Sequence, residues 1–469
     1  MPDRARMRMN AMDQPRKVMI PGDLPVGRIV KTWWPLAASW LLMAMELPFI
    51  SSVVARLANP EINLAAWGGV VFPLSLLIEA PIIMLLAAST ALSKDWASYL
   101  KMRRFMMATS AALTAMHLAI AFTPIFDLVV LNVIGAPEAI LEPARIGLRL
   151  MIPWTWSIAY RRFNQGVLIR QGHSSAVGVG TFIRLTADIG VLGLGLLLKR
   201  FPGTMVAGTA VALGVMAEAL YAGIRVQPVL RIHLKTAPVV APALEWRSFF
   251  AFYIPLAMTS LITLLINPLG SAALSRMPFA LESLAVWPVV SGLVFILRSM
   301  GVAYNEVVVA LLDEPFASRS LRRFAWGLAG ASTVLLVLFA ASPLSVFWFS
   351  TFSGLRPDLA MLAKNAVWFA LPLPAMNVAQ SWFQGVLLHT KRTRAVTEAV
   401  VVFIVVSALF LTGGVLWHEL PGLYIGWLAF SMGGIAQSLW LWLRSRSSMA
   451  ELDSSTVSAN DQVLHHPRE

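Results

Sequence analysis

Long, pattern-free apolar runs separated by short polar joints set the plan of this chain. Runs of about 18 or more apolar residues recur, each able to cross roughly 30 Å of hydrocarbon as a helix. The pattern predicts twelve spans, near 33–57, 64–92, 105–130, 145–169, 176–198 and 204–226, then 248–275, 281–311, 324–349, 361–388, 395–417 and 421–443. Residues 1–31 are basic and rich in Met, and lack the apolar core of a cleavable signal, so they read as a cytoplasmic leader. A later start, at Met12 or Met19, fits the same reading. Residues 227–247, with Pro228, Pro238 and Pro242, form a polar linker between lobes 32–226 and 248–444. The Ser-rich stretch 445–469 reads as a disordered tail.

The chain writes one unit twice. Pro35-Leu36-Ala37, Pro48 and Arg56 recur 220 residues later as Pro255-Leu256-Ala257, Pro268 and Arg276. Leu64-Ala65 and Trp67 answer to Leu284-Ala285 and Trp287 at the same offset. Further on the offset is 219: Pro153 answers Pro372, Gln165-Gly166-Val167-Leu168 answers Gln384-Gly385-Val386-Leu387, and Ala176-Val177 answers Ala395-Val396. A near-constant offset over separated blocks marks two homologous halves. Six spans per half is an even number, so the halves enter the membrane in the same sense and the repeats are parallel. Pro48, Pro81, Pro153, Pro268, Pro372 and Pro374 fall at mid-depth. Each removes an intrahelical hydrogen bond, which makes Pro48, Pro81, Pro268 and Pro372 candidate hinges as well as candidate static kinks.

Composition agrees with the pattern. Hydrophobic residues make up 58% of the chain and charged ones 13%, about half the charge of a soluble protein. No cysteine is present, which excludes disulfides, thiolate metal sites and cysteine nucleophiles. The formal charge of +13 belongs to the joints on one side and does not point to nucleic acid. Most Lys and Arg fall in the N-terminus, the even-to-odd joints and the C-terminus, so the positive-inside rule puts both termini in the cytoplasm. Lys199-Arg200 is the local exception.

Charges within spans ask for a reason, since each costs about 2.5–3.5 kcal/mol at mid-bilayer. Glu46 stands two residues before Pro48, and Glu79 two before Pro81. Arg184 and Asp188 share a helix face and can pair with each other. Arg149 lies early in span 4, where its side chain can reach a headgroup. Glu218 lies in span 6. Arg298 lies in the middle of span 8, with Asn305 on the same stripe. Gln165, Gln384 and Asn267 are neutral polar groups near mid-helix, suited either to interhelical hydrogen bonds or to a substrate. Glu46, Glu79 and Asp188 are therefore candidates for coupling to H⁺ or Na⁺, and Arg298, Asn267, Asn305, Arg184, Gln165 and Gln384 candidates for contacting a small anionic or polar substrate. His117, His173 and His389 have no partners at metal-ligand spacing, and no metal or cofactor is expected. Walker A, HExxH and GxSxG signatures are absent, so the chain reads as no enzyme.

A Pro-Leu near the start of helices 1 and 7, and FNQGVLI…GHSSAV echoed by WFQGVLL…TKRTRAV, resemble the multidrug and toxic compound extrusion (MATE) transporters and the flippase superfamily around them. ALSKDWASYLKMRR, residues 91–104, lacks the signature loop of the major facilitator type. Residues 61–95 also resemble bacterial relatives of the progressive ankylosis protein, a family linked to export of anionic metabolites. The resemblance covers about 33–443 and implies an all-α, V-shaped bundle of twelve transmembrane helices in two parallel six-helix repeats. It implies a monomeric secondary transporter in a bacterial cytoplasmic membrane, with a cleft between helices 1–2 and 7–8. Such proteins commonly carry an Asp in helix 1 or an acid in helix 7. Here Glu46 stands about a turn nearer the proline, and helix 7 offers Asn267. Two rivals stand beside this: a flippase for a lipid-linked or polysaccharide substrate, and a non-transporting scaffold or receptor whose buried charges pair off.

Overall fold

The computed structural model describes residues 24–312, 314, 317–390 and 392–464, the last of these from 453 onward by backbone alone. One lobe comprises α1 (Val26–Val54), α2 (Pro60–Leu92), α3 (Trp96–Phe122), α4 (Leu141–Leu150 with Ile152–Arg170), α5 (Ser175–Leu198) and α6 (Gly203–Leu234). The other comprises α7 (Trp246–Leu274), α8 (Ala280–Leu311), α9 (Ala317–Ala341), α10 (Pro357–Phe369 with Pro372–His389), α11 (Arg394–Trp417) and α12 (Gly422–Leu464). Nine of the described helices are long and apolar enough to cross a membrane, or ten with the two parts of α10 taken as one bent span. With α4 and α12 the chain is an all-α integral membrane protein of twelve helices. The start of α1, the linker and the end of α12 share one face by parity, called here the near face; the other is the far face.

Several boundaries differ from the hydropathy reading. α3 begins at Trp96, because Asp95 and Ser98 form a reciprocal cap there and the helix runs on past Lys101, Arg103 and Arg104. It ends at Phe122, before Pro124, and the remaining apolar residues form a separate short helix, 125–134. α9 behaves alike: it starts at Ala317 and ends before Pro343, and a short helix over 343–352 follows. The segment expected as a disordered tail is instead helical as far as Leu464. Its first part is fastened by Arg392, which donates to Ser447 and to Glu451 at 2.7 Å. The leader falls outside the described residues up to 23, and α1 already begins at Val26. Likewise α6 continues through Leu234, which shortens the linker to 235–245.

Prolines act unevenly. α1 breaks at Met45, just before Pro48; α2 tightens at Ala80–Ile82 around Pro81; α4 breaks at Met151 before Pro153. The two parts of α10 meet at 42° before Pro372. Pro268, a candidate hinge by sequence, lies within α7, which runs unbroken from Trp246 to Leu274.

The duplication is visible residue by residue. Left-handed backbone recurs at Asn59 and Phe279, at Gly135 and Gly354, and at Lys199 and His418. Asn63 Oδ1 caps the start of α6 by accepting from Thr204 N–H at 3.0 Å, and Ser283 Oγ caps the start of α12 by accepting from Leu423 N–H at 3.0 Å. The drop in offset from 220 to 219 has a structural cause. α2 carries a π-helical stretch, Ala66–Val71, where α8 is regular throughout, and a π-bulge takes in one extra residue. The seam bonds confirm the register. Trp33 Nε1 donates to Met300 O at 3.0 Å, and its twin Tyr253 donates through Oη to Pro81 O at 2.6 Å: the donors differ by 220 and the acceptors by 219.

These bonds also show how the lobes meet, with α1 against α8 and α7 against α2. At the centre α2 crosses α8 so closely that a Cβ on Gly68 would stand 2.4 Å from Pro288 Cγ. On the near face the linker is tied to the α2–α3 joint. Val240 N–H donates to Asp95 Oδ2 at 3.0 Å, Lys101 donates to Leu244 O, and Lys235 lies 5.1 Å from the centre of the Trp96 ring. Burial pushes the Asp95 carboxyl up, but hydrogen bonds from Ser98 and Val240 outweigh it and hold the group below its usual range.

Gly68→Val drives a branched side chain into Pro288. It should lower stability by about 1–3 kcal/mol, read as a lower melting temperature of the purified protein in detergent. For Asp95, a depressed carboxyl stabilises the fold above its unfolded value near 3.9 and loses that share as pH falls through the lower folded value. Amide exchange over 235–245 should therefore stay slow from pH 7 down to about pH 4, and Asp95→Asn should speed it throughout that range.

Candidate functional site

Most of the buried charge of the first lobe gathers in one network. It takes Glu46 from the break in α1, Glu79 from the tightened turn of α2, Arg161, Arg162 and Gln165 from α4, Arg184 and Asp188 from α5, and Glu218 from α6. Glu218 is wholly buried and sits at the hub. Arg161 donates to its Oε2, Gln165 Nε2 donates to its Oε1 at 2.9 Å, and Arg184 Nε lies 3.8 Å from Oε2. Arg184 also donates to Glu46 Oε2 at 2.6 Å. Thus α1, α4, α5 and α6 are held to one carboxylate and its neighbours.

The pair expected from sequence, Arg184 with Asp188, is not what forms. Arg184 turns to Glu46 and Glu218, and both oxygens of the buried Asp188 have no hydrogen-bond partner. Asp188 can lie there because α6 has Gly214 opposite: a Cβ on that residue would stand 1.8 Å from Asp188 Oδ1. Glu79 is also buried, with one oxygen unpartnered, and lies within electrostatic reach of Arg161 and Arg162. Four carboxyl groups (Glu46, Glu79, Asp188, Glu218) face three guanidiniums (Arg161, Arg162, Arg184), a formal excess of one acid over the bases. A cavity of about 120 Å³ between α1 and α5 has Glu46 and Asp188 in its wall, among Leu42, Phe49, Leu185 and Ile189. Apart from those two carboxylates its wall is almost wholly apolar, and Leu42, Phe182 and Ile189 also face the outside of the bundle.

The second lobe has discharged the same positions. Read at the established offsets, Glu46 is replaced by Ile266, Arg161 by Gln380, Arg162 by Ser381, Arg184 by Phe403, Asp188 by Ser407 and Glu218 by Gln437. The geometry persists without charge: Gln380 Nε2 donates to Gly434 O and Ser438 Oγ, both at 3.1 Å, and Ser407 Oγ donates to Ala429 O at 3.3 Å. The exception is Arg298, which occupies the twin position of Glu79. Its Nε is buried and unpartnered, and no ion pair to it is seen among the described residues. The two lobes thus present opposite charges from equivalent places on α2 and α8.

The remaining candidates have plainer surroundings. Asn305 donates to Ser381 O at 3.1 Å, and Asn267 donates within its own helix to Leu264 O at 3.3 Å. Gln384 is half-buried on α10. Gln165 is engaged with Glu218. His117 is held by Thr155 Oγ1 at 2.8 Å and Leu148 O at 2.9 Å, a structural setting. Arg149 donates to Ala121 O and lies over Phe122. Sequence reasoning passed over Arg161 and Arg162. The signal was present, since both lie inside the predicted span 145–169, where two adjacent cations need carboxylates from other helices.

With this geometry in hand, the comparisons with known proteins are specific about fold. No family model and no curated protein matches the chain. Among solved structures, an inward-facing multidrug resistance MATE family transporter of the MOP superfamily matches with a TM-score of 0.68 at 15% identity, covering 91% of this chain and 99% of that one. An outward-facing transporter of that family matches at 0.56 and 16% identity, covering 92% and 98%. The lipid II flippase MurJ, inward closed, matches at 0.58 and 11% identity, covering 92% and 93%. The chain has the twelve-helix MATE fold.

Removing one partner from a buried ionic network leaves the others unpaired. Glu218→Ala should cost about 3–5 kcal/mol, while Glu218→Gln, which still accepts from Arg161 and Gln165, should cost clearly less. Thermal unfolding of both variants in detergent checks this; equal melting temperatures for Glu218→Ala and the parent protein would deny the network its structural role.

Proposed function

We propose that this protein is a secondary active transporter, an exporter that moves a small anionic or polar organic compound by alternating access and is driven by a proton or Na⁺ gradient. It is a carrier and not an enzyme. The observation that carries the reading is the uncompensated carboxylate of the first lobe: Asp188, without a hydrogen-bond partner, faces a cavity shared with Glu46. A buried site with one acid in formal excess favours a single added positive charge, supplied by a proton or a monovalent cation. Glu46, Glu79 and Asp188 are the coupling residues in this reading. Arg298, whose Nε is buried and unpartnered, is the contact for an anionic cargo in this reading, with Asn305, Asn267 and Gln384 as further candidates. The near face, which carries Lys94, Lys101, Arg103, Arg104 and Lys235, is then cytoplasmic by the positive-inside rule, in a bacterial inner membrane.

A flippase for a lipid-linked substrate shares the fold and is the second reading. It calls for a broadly basic cleft, whereas Arg161 and Arg184 are engaged by carboxylates. A scaffold with a dead transporter fold calls for paired charges throughout, against which Asp188 and Arg298 stand.

The test is flux in proteoliposomes under an imposed pH or Na⁺ gradient, screened over organic anions and cations. Glu46→Gln with Glu79→Gln, and separately Asp188→Asn, should abolish gradient-driven uptake in protein that still folds. Arg298→Ala should raise the half-saturating concentration for an anion by about tenfold, the worth of one charged hydrogen bond. Unaltered flux in the double variant removes those carboxylates from coupling.

A further inference from the structure

The far face is closed by a matched pair of arginines, and we infer that Arg56 and Arg276 form a two-part latch that must release before the far face can open. The inference rests on the transporter reading above for its purpose, but not for its geometry. Arg56 stands just past the end of α1 and donates through Nη2 to Thr351 O in the short helix of the opposite lobe, while its Nη1 is braced on Ser52 O at 2.6 Å. Arg276 is its twin at the end of α7. Its Nη2 donates to Asn132 O at 3.1 Å and Val133 O at 2.9 Å, its Nη1 donates to Ile134 O at 2.6 Å, and it is braced on Ala272 O at 2.7 Å.

Arg276 therefore caps three C-terminal carbonyls of the other lobe's short helix and Arg56 caps one, at an end where the backbone dipole favours a cation. The fit is cut for it on both sides. Each short helix is followed by a glycine in left-handed backbone, Gly135 at φ 72° and Gly354 at φ 73°. A Cβ at Gly135 would stand 3.1 Å from Arg276 Nη1, and one at Gly354 would stand 3.0 Å from Arg56 Nη1. Secondary contacts lie beside the latch: Arg356 reaches Glu61 across the lobes at 3.1 Å, and the rings of Phe49 and Phe352 lie 6.1 Å apart. Lobes that splay apart at this face must break both arginine contacts. The acceptors are carbonyls, so the latch keeps its strength over the whole range in which carboxylates change charge.

The chain has no cysteine, so spin labels can be placed at will. Leu197 and Leu416, twins at the far-face ends of α5 and α11, are 83% and 81% exposed. With labels at Leu197→Cys and Leu416→Cys, Arg56→Ala with Arg276→Ala should raise the far-face-open population about tenfold or more relative to the parent. Gly135→Ala with Gly354→Ala attacks the same contact from the helix side and should shift the distances the same way. Arg56→Lys with Arg276→Lys should restore only part of the contact, because an ammonium is a single point and lacks the planar fork whose two Nη atoms reach the brace and the opposite lobe together. Unchanged label distances in both the arginine and the glycine double variants, at parental helical content, overturn the latch. A protein that carries no solute but whose distances shift keeps the latch and loses the transport reading.

Discussion

Glu218 is the group on which the first lobe depends. It lies wholly buried on α6 and is engaged by Arg161, Gln165 and Arg184. An isolated carboxylate at that depth would be expelled or neutralised. Its three partners make it tenable, and in doing so they fix where α4 and α5 stand against α6. The extension from Arg184 to Glu46 draws α1 into the same network. A hydrophobic bundle in lipid gains little from apolar contact between helices, so a polar hub of this kind carries much of the specificity of packing. The cost is a buried carboxylate, Asp188, with no hydrogen-bond partner, the feature on which the proposed coupling to an ion rests.

Comparison of the two halves separates scaffold from chemistry. Caps, left-handed joints and close helix crossings recur in both, so these belong to the fold. The charges of the buried network do not recur, although Arg56 and Arg276 at the far face do. Where the first half has Arg184 and Asp188, the second has Phe403 and Ser407; where the first has Glu218, the second has Gln437. The second lobe keeps hydrogen bonds at Gln380 and Ser407, which shows that interhelical bonding alone needs no ions. The concentration of charge in one lobe is therefore not required to hold a six-helix unit together. It separates a carboxylate-rich lobe from one in which Arg298, with its Nε buried and unpartnered, takes the place of Glu79, and the proposed transport cycle uses that difference.

Much of the fold was legible in the sequence because lipid imposes a simple rule: backbone must be satisfied within each span, so apolar length gives helices. The repeat was legible because Pro, Gly and Trp at fixed offsets are hard to replace. Helix ends were less so. Hydropathy stops at Lys101 or at Arg319, whereas the helical backbone of α3 and α9 continues past them into the interface. In the site, Glu46, Glu79, Asp188 and Arg298 stood out as charges at depth. Their partners did not, because pairing depends on which helix faces overlap. Arg184 and Asp188 have the spacing of an intrahelical pair, yet two carboxylates from other helices compete for the guanidinium and win. The π-bulge in α2 is written only as a one-residue change of offset, and its consequence, that Glu79 and Arg298 are twins, follows from where in α2 the extra residue is taken in.

The network and the latch are joined by one short piece of chain. α1 breaks at Met45, and its last segment, Glu46–Val54, begins with the carboxylate that Arg184 holds. Arg56, the latch residue, follows two residues after that segment ends. Nine residues of helix span about 13 Å, so a change at the buried network and a change at the far face lie at opposite ends of one lever, with Pro48 near its inner end. α7 has Arg276 in the equivalent place but Ile266 where Glu46 would be, and it is unbroken. The latch thus uses the same residue at twin positions, while its control does not. Loss of the Glu46–Arg184 bond frees the inner end of the α1 lever alone, and release of the far face would begin at Arg56, with Arg276 following because the two hold the same pair of lobes.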